Sequence, residues 1–145
     1  MKHIIAFLGV YFLIFTVNAQ SIEWVNFNEL EAKMKVQPKK VLVFIHTSWC
    51  KYCLIQENKT FTDSATIALL QKDYYCLKLN AEQTDSIVFL GKTYHGNAQQ
   101  NHELAATLGT KNGQLLFPTT VFFTNQLQLE NIWQGLLKPG NVIAN

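Results

Sequence analysis

The chain has 145 residues, enough for one domain with a hydrophobic core. Hydrophobic residues make up 48% and charged residues 15%, a globular balance that excludes a disordered chain. The formal net charge of +2 is carried by lysines alone, because the chain contains no arginine. Since arginine supplies most bidentate contacts to phosphates and base edges, this composition argues against a nucleic-acid partner.

The first nineteen residues have the three-part pattern of a secretory signal. A basic start, MKH, precedes the 14-residue apolar run IIAFLGVYFLIFTV, and Val17 and Ala19 have the spacing that signal peptidase recognises. A bilayer span needs about 20 residues, so an uncleaved signal anchor is the weaker alternative. We predict a signal peptide at 1–19, a mature start at Gln20, and export to the periplasm or another extracytoplasmic compartment. One domain then occupies 20–145.

The mature chain begins with a helix and a strand. Apolar residues recur at helical spacing over 25–36, and Asn26 followed by Glu29 resembles a capping box. The continuous apolar run within 39–47 follows a proline and is typical of a buried central strand.

The next segments predict more helix and a second strand. A helix over 48–60 has the cysteines in its first turn, and 61–73 continues it with a kink or forms a second helix capped by Asp63 or Ser64. Residues 74–82 alternate between apolar and polar side chains, which predicts a strand.

An irregular stretch follows at 83–101, where a small hairpin with a turn at Gly91-Lys92 is the best interpretation. A helix over 101–109 is expected to stop at Gly109.

The C-terminal part predicts two strands, over 115–123 and 127–137, and the start of a last helix. The joint between the strands is so short that it favours antiparallel pairing. The earlier strand–helix–strand order favours parallel pairing through a right-handed crossover. The pattern therefore predicts an α/β domain with a mixed central sheet and helices on both faces.

The stretch HTSWCKYC contains the C-x-x-C pair Cys50 and Cys53. A cysteine at the start of a helix lies near free backbone N–H groups and the positive end of the helix dipole, which favour the thiolate. Lys51 adds a nearby cation, and Cys53 lies one turn later on the same helix face. This arrangement predicts a redox couple in which Cys50 attacks and the shielded Cys53 resolves the mixed disulfide.

Two other uses of the pair are weaker. A disulfide that closes so small a loop restrains the unfolded chain little, which argues against a purely structural staple. A structural zinc site needs four ligands, and His95 and His102 do not have the required spacing. Metal binding remains an alternative in one form, a binding module or copper chaperone that uses both thiolates and a histidine such as His46.

Several other residues have more than one interpretation. Pro118 lies inside the strand-like run LLFPTTVFF, where a trans proline at the strand start is expected from the residue alone and a cis bond after Phe117 is the alternative. Cys76 is expected to be a buried inert thiol in the middle of a strand. Trp49 is expected to pack beside the cysteines and to shape a docking surface.

Three segments together resemble the thioredoxin superfamily: VLVFIHTSWCKYC, FPTTVFF and LENIWQGLL. The resemblance is strongest to exported bacterial thioredoxin-like proteins, including the soluble thiol domains of periplasmic disulfide-interchange proteins. It implies a thioredoxin-like fold with an insert after the strand at about 74–80. It also implies a thiol–disulfide oxidoreductase that acts on cell-envelope protein thiols and disulfides and receives electrons from a membrane donor. The redox-active disulfide then replaces any bound cofactor.

By this resemblance Cys50 is the nucleophile, Cys53 the resolving thiol and Pro118 the cis-proline that docks substrate. The docking residues around them are Trp49, Phe117 and Thr119.

The sequence departs from the family pattern at the redox site. The family's cytoplasmic reductases have a buried aspartate six residues before the first cysteine, where this chain has Phe44. Glu57 or His46 acting through water is the candidate substitute. The dipeptide Lys51-Tyr52 separates the cysteines, and its cation is expected to make the disulfide more oxidising.

Overall fold

The computed structural model describes residues 21–143. The predicted signal peptide at 1–19 and the predicted mature start at Gln20 lie outside the described residues. Within 21–143, no helix combines the length and the apolar character needed to cross a membrane.

Helices and strands follow one another in nearly the predicted order. The helices are α1 (Phe27–Val36), α2 (Lys51–Ile55), which continues through one wider π turn (Gln56–Thr60), α3 (Ser64–Asp73), α4 (Glu103–Gly109) and α5 (Pro139–Ile143). The strands are β1 (Lys40–His46), β2 (Tyr74–Asn80), β3 (Ile87–Phe89), β4 (Lys92–Tyr94), β5 (Thr119–Phe123) and β6 (Leu129–Gln134).

Four strands form the central sheet in the order β2-β1-β5-β6. β1 is parallel to β2 and antiparallel to β5, and β5 is antiparallel to β6. This arrangement confirms the predicted mixed sheet. β5 is shorter than the predicted strand at 115–123 because it begins after Pro118, which has no N–H to donate to a ladder.

The central strand β1 supplies both faces of the sheet with core residues. Val41, Val43 and Ile45 pack in one hydrophobic cluster with residues of α1 and α4. Leu42 and Phe44 pack in a second cluster on the other face, with residues of α2, α3 and α5. Each large apolar side chain buried in this way contributes about 1.5–3 kcal/mol. Burial on both faces explains why the sequence of β1 is apolar without alternation.

The stretch after β2 forms the expected small hairpin, β3 paired antiparallel with β4. The predicted turn at Gly91-Lys92 is wrong by one residue. Leu90 and Gly91 form the turn, with positive φ angles of 52° and 73°, and Lys92 already begins β4. Two consecutive residues with positive φ match the twist of a hairpin, whereas the predicted turn would have placed a lysine there.

The structure tests two helix-end predictions. Asn26 is the N-cap residue of α1 as predicted, but its side chain makes no capping bond to the backbone, and its amide donates to the Glu29 carboxylate at 3.3 Å. α4 ends at Gly109 as predicted, without a positive φ. A Cβ there would lie 2.6 Å from Leu115 Cδ1 and 2.9 Å from Ile45 Cδ1, so a larger residue requires these side-chain ends to move.

Candidate active site

The cysteine pair lies at the start of α2, just after the loop that connects β1 to α2. Cys50 is the N-cap of α2, and Cys53 lies in its first turn. The two sulfurs form a disulfide, and the backbone N–H of Cys53 donates to Cys50 Sγ at 3.1 Å. A donor aimed at this sulfur stabilises negative charge on it, so the same geometry favours a Cys50 thiolate after reduction.

The two cysteines differ a little in burial. Cys50 has 7% of its surface exposed and Cys53 1%. Both line a cavity of about 330 Å³, together with His46, Thr47 and Glu57. Cys50 is therefore the more accessible of the two residues to a partner molecule.

The turn before Cys50 is held by Glu82, a residue that follows β2. The backbone N–H and the hydroxyl of Ser48 both donate to Glu82 Oε2 at 2.6 Å. These two bonds hold the pKa of the Glu82 carboxyl below its ordinary value. Sequence reasoning missed Glu82 because an exposed glutamate after a strand carries no local signal of a distant partner.

The loop before β5 forms a wall, Phe117 and Pro118, against the Trp49 ring. The peptide bond between Phe117 and Pro118 is cis, as the family resemblance implies, and not the trans isomer expected from the proline alone. The Trp49 ring is 70% exposed and meets the Phe117 ring edge to face, with 5.9 Å between centroids. Pro118 is buried beside it. Thr119 offers no exposed side chain, since its buried hydroxyl donates to the carbonyl of Leu116.

A half-buried ion pair lies on the other side of the cysteines. Glu57 Oε2 lies 2.7 Å from Lys78 Nζ. Lys78 is the β2 residue directly beside Phe44 in the parallel ladder, and Phe44 stands where the family's reductases have an aspartate. The carboxylate near this position comes from the helix that carries the cysteines, here called the redox helix, because Glu57 lies in the π turn that follows α2.

His46 is half-buried at the end of β1 and stacks on Phe44, with 5.4 Å between ring centroids. Burial, and then the nearby Lys78 ammonium, lower the pKa of the His46 imidazole from its ordinary value of 6.5. The ring is therefore neutral at neutral pH and can accept a proton. Lys51 is exposed and forms no ion pair with any described residue.

Cys76, His95 and His102 do not line the cavity beside the pair. Cys76 is 2% exposed in β2, and burial raises its pKa to about 12, as expected of an inert thiol. His102 caps α4, and His95 hydrogen-bonds Ser86 at 2.9 Å. Over residues 21–143, no group of three or more His, Cys, Asp or Glu side chains is arranged to hold a metal ion.

Comparison with known families agrees with this geometry. A family model described as thioredoxin-like matches residues 23–124, well over half of the chain. The chain belongs to the thioredoxin-like family. No curated protein sequence matches it.

Solved structures of low sequence identity share the thioredoxin-like fold. A structure titled DsbH oxidoreductase is 18% identical with a TM-score of 0.62, and the match covers 89% of this chain and 85% of that one. A thioredoxin from Thermus thermophilus is 17% identical with a TM-score of 0.62, covering 86% and 83%. A disulphide isomerase from Xylella fastidiosa Temecula1 is 18% identical with a TM-score of 0.51, covering 79% and 72%. These structural similarities show that the chain has the thioredoxin-like fold.

Proposed function

We propose that this protein is a thiol–disulfide oxidoreductase that reduces or exchanges disulfides of other proteins. The observation that carries the proposal is the Cys50–Cys53 disulfide at the start of α2, in which Cys50 is 7% exposed and Cys53 1%. The names of two similar folds, an oxidoreductase and a disulphide isomerase, agree with this activity.

In the reducing direction the reaction has two exchange steps. The Cys50 thiolate attacks one sulfur of a substrate disulfide, forms a mixed disulfide, and releases the first substrate thiolate. The Cys53 thiolate then attacks Cys50 Sγ, which releases the second substrate thiolate and closes the Cys50–Cys53 bond. Two electrons pass from the protein to the substrate. A dithiol donor must return them by the same exchange chemistry in reverse.

The second step requires a base for the Cys53 proton. The cavity beside Cys53 is also lined by Glu57 and His46 and is large enough for several water molecules. Glu57 forms an ion pair with Lys78, and His46 is neutral at neutral pH. Both can take the proton through water. They would then serve in place of the aspartate that family reductases have at the position of Phe44.

Substrate docks on an apolar surface beside Cys50. Trp49 provides an exposed apolar face, and its ring is in edge-to-face contact with Phe117, the residue before Pro118. An extended polypeptide placed on this surface brings its disulfide to Cys50. Lys51, exposed beside Cys50, favours the thiolate from the solvent side.

We also propose that the protein works outside the cytoplasm and receives electrons from a membrane donor. The support for export is the basic, apolar and small-residue pattern of residues 1–19. Intact mass measurement of the protein from the cell envelope tests this: a chain that begins at Gln20 is expected, and a chain that retains Met1 contradicts cleavage.

Reduction of insulin disulfides by dithiothreitol tests the proposed activity. The wild-type protein should accelerate the reaction, Cys50→Ser should abolish the acceleration, and the matched control Cys76→Ser should retain it. Equal rates for Cys50→Ser and wild type would remove the proposal. A reduction potential near the −270 mV of thioredoxin supports the reducing direction, whereas one near −120 mV indicates an oxidant.

A further inference from the structure

Gln56 is a fully buried amide in the helix that carries the redox pair. It lies three residues after Cys53 at the start of the π turn and has none of its surface exposed. A buried amide is costly unless both its donor and its acceptor find partners. The partners of Gln56 come from two other segments of the chain, far away in sequence.

Each end of the Gln56 amide bonds to a different segment. Its Nε2 donates to Thr120 Oγ1 in β5 at 2.9 Å. Its Oε1 accepts the backbone N–H of Leu137, just after β6, at 2.8 Å. Thr60, at the end of the same π turn, donates its hydroxyl to the carbonyl of Leu137. The helix therefore satisfies both backbone groups of Leu137 and one hydroxyl of β5.

Both partners of Gln56 are tied to the segment that carries the cis Phe117-Pro118 bond. Thr120 lies two residues after Pro118 in the same extended segment. Leu137 lies two residues after Gly135, whose N–H donates to the carbonyl of Pro118 at 2.7 Å. Hydrogen bonds and short chain segments thus connect the redox helix to the loop that carries the cis-proline in a closed circuit. The circuit runs through Gln56, Thr120, Pro118, Gly135 and Leu137.

We infer that Gln56 is a positioning residue that fixes the redox helix against the Phe117-Pro118 wall and so sets how Trp49 and Phe117 meet in the docking surface. The inference rests on the proposed function, because this arrangement matters only if a polypeptide docks on it. An apolar side chain of the same size would fill the space but leave the Leu137 N–H without a partner. The helix would then be free to shift against the wall, and a small displacement is costly where two reacting groups must be aligned.

The role predicts a loss that depends on the size of the substrate. A polypeptide disulfide contacts both the helix and the wall, so it is sensitive to their spacing. A small aromatic disulfide reaches Cys50 without touching the wall. General destabilisation of the fold, or a change in the Cys50 thiolate, affects both reactions alike.

Three variants of the full chain, each measured after reduction, test the positioning role of Gln56. Gln56→Met removes the amide, and Thr120→Val removes one of its partners. Asn58→Met is the control, because it replaces an exposed amide of the same turn. The rate constants are measured with insulin and with 5,5′-dithiobis(2-nitrobenzoate). For Gln56→Met we expect the insulin rate to fall by about 10-fold or more and the small-disulfide rate by less than about 2-fold. Thr120→Val should show a smaller fall of the same kind, and Asn58→Met none.

An unchanged ratio of the two rates in Gln56→Met, or an equal fall in both, overturns the inference. If Gln56→Met does not fold, the same criterion is applied to Thr120→Val. A second measurement needs no activity: nuclear Overhauser effects between the Trp49 and Phe117 rings should weaken in Gln56→Met or Thr120→Val. If these effects stay at wild-type strength, the inference fails. If wild type does not reduce insulin but the ring effects weaken, the proposed function fails and the positioning role of Gln56 stands.

Discussion

Glu57 pairs with Lys78 at 2.7 Å and lines the same cavity as the buried sulfur of Cys53. Lys78 lies beside Phe44 in the parallel ladder, so an ion pair flanks β1 at a position where β1 itself has only apolar residues. This placement gives the proposed second exchange step a carboxylate that the sequence of β1 lacks.

Replacing Glu57 should slow the resolving step more than the first attack. In Glu57→Gln the base is lost, and we expect decay of the mixed disulfide to slow by about 10-fold near neutral pH, a modest share of what general bases contribute. Quenched-flow trapping of the mixed disulfide measures this step. Glu29→Gln, an exposed glutamate on α1, is the control. An unchanged decay rate in Glu57→Gln would show that Glu57 takes no proton from Cys53.

His46 should make the protein less stable as the pH falls below 6.5. Its folded pKa lies below the ordinary value of 6.5, because burial and Lys78 disfavour the charged ring. The unfolded chain then binds more protons than the folded one, so the free energy of unfolding is highest above pH 6.5 and declines as the pH falls toward the folded pKa. Urea titrations between pH 8 and pH 5 should show a shallower decline in His46→Asn. Parallel curves for the two proteins would contradict this role.

Removing the Trp49 ring should weaken polypeptide substrates selectively. Exposed aromatic side chains at the centre of an interface are frequent hot spots, and about 1.4 kcal/mol of lost binding corresponds to a 10-fold rise in KM. We therefore expect a rise of this size for insulin in Trp49→Ala. Leu129→Ala, an exposed apolar residue on the edge strand β6, should leave KM unchanged. Equal KM values for Trp49→Ala and wild type would exclude Trp49 from the docking surface.

Gly109→Ala should destabilise the fold. The added methyl group would lie 2.6 Å from Leu115 Cδ1 and 2.9 Å from Ile45 Cδ1, so the ends of these side chains must move. Because Ile45 has none of its surface exposed, we expect the repacking to cost about 1–3 kcal/mol. Gly140→Ala is the matched control, because nothing lies within 4 Å of its added methyl group. Thermal unfolding should separate the two variants by several degrees. A Gly109→Ala protein as stable as wild type would mean that Leu115 moves aside without cost.

The sequence predicts the parts of the fold that local patterns encode. The apolar run of β1 and the Asp63 cap of α3, which accepts the Thr66 N–H at 2.9 Å, both have local signals. The mixed sheet follows from the order of the elements and is confirmed. Asn26 is the N-cap residue as predicted, but its amide bonds to the Glu29 side chain and not to the backbone. The turn at Gly91-Lys92 is wrong by one residue, because Leu90 and Gly91 adopt the positive φ angles.

The connections that build the site from distant segments were not predictable in this way. Glu82 holds Ser48 across 34 residues, and Gln56 reaches Leu137 across 81. Nothing next to Glu82 or Gln56 marks these partners, since only the folded topology brings them together. A polar residue at helical spacing after Cys53 was the one available signal for Gln56, and amphipathic helices usually place such a residue on the surface.

In the proposed reaction Cys50 attacks substrate disulfides and Cys53 resolves the product. The most direct test is to react reduced Cys53→Ser with insulin, trap the product, and map it by peptide mass spectrometry. We expect a stable mixed disulfide between Cys50 and an insulin cysteine, which wild type does not accumulate. A mixed disulfide at Cys76, or no mixed disulfide at all, would contradict it.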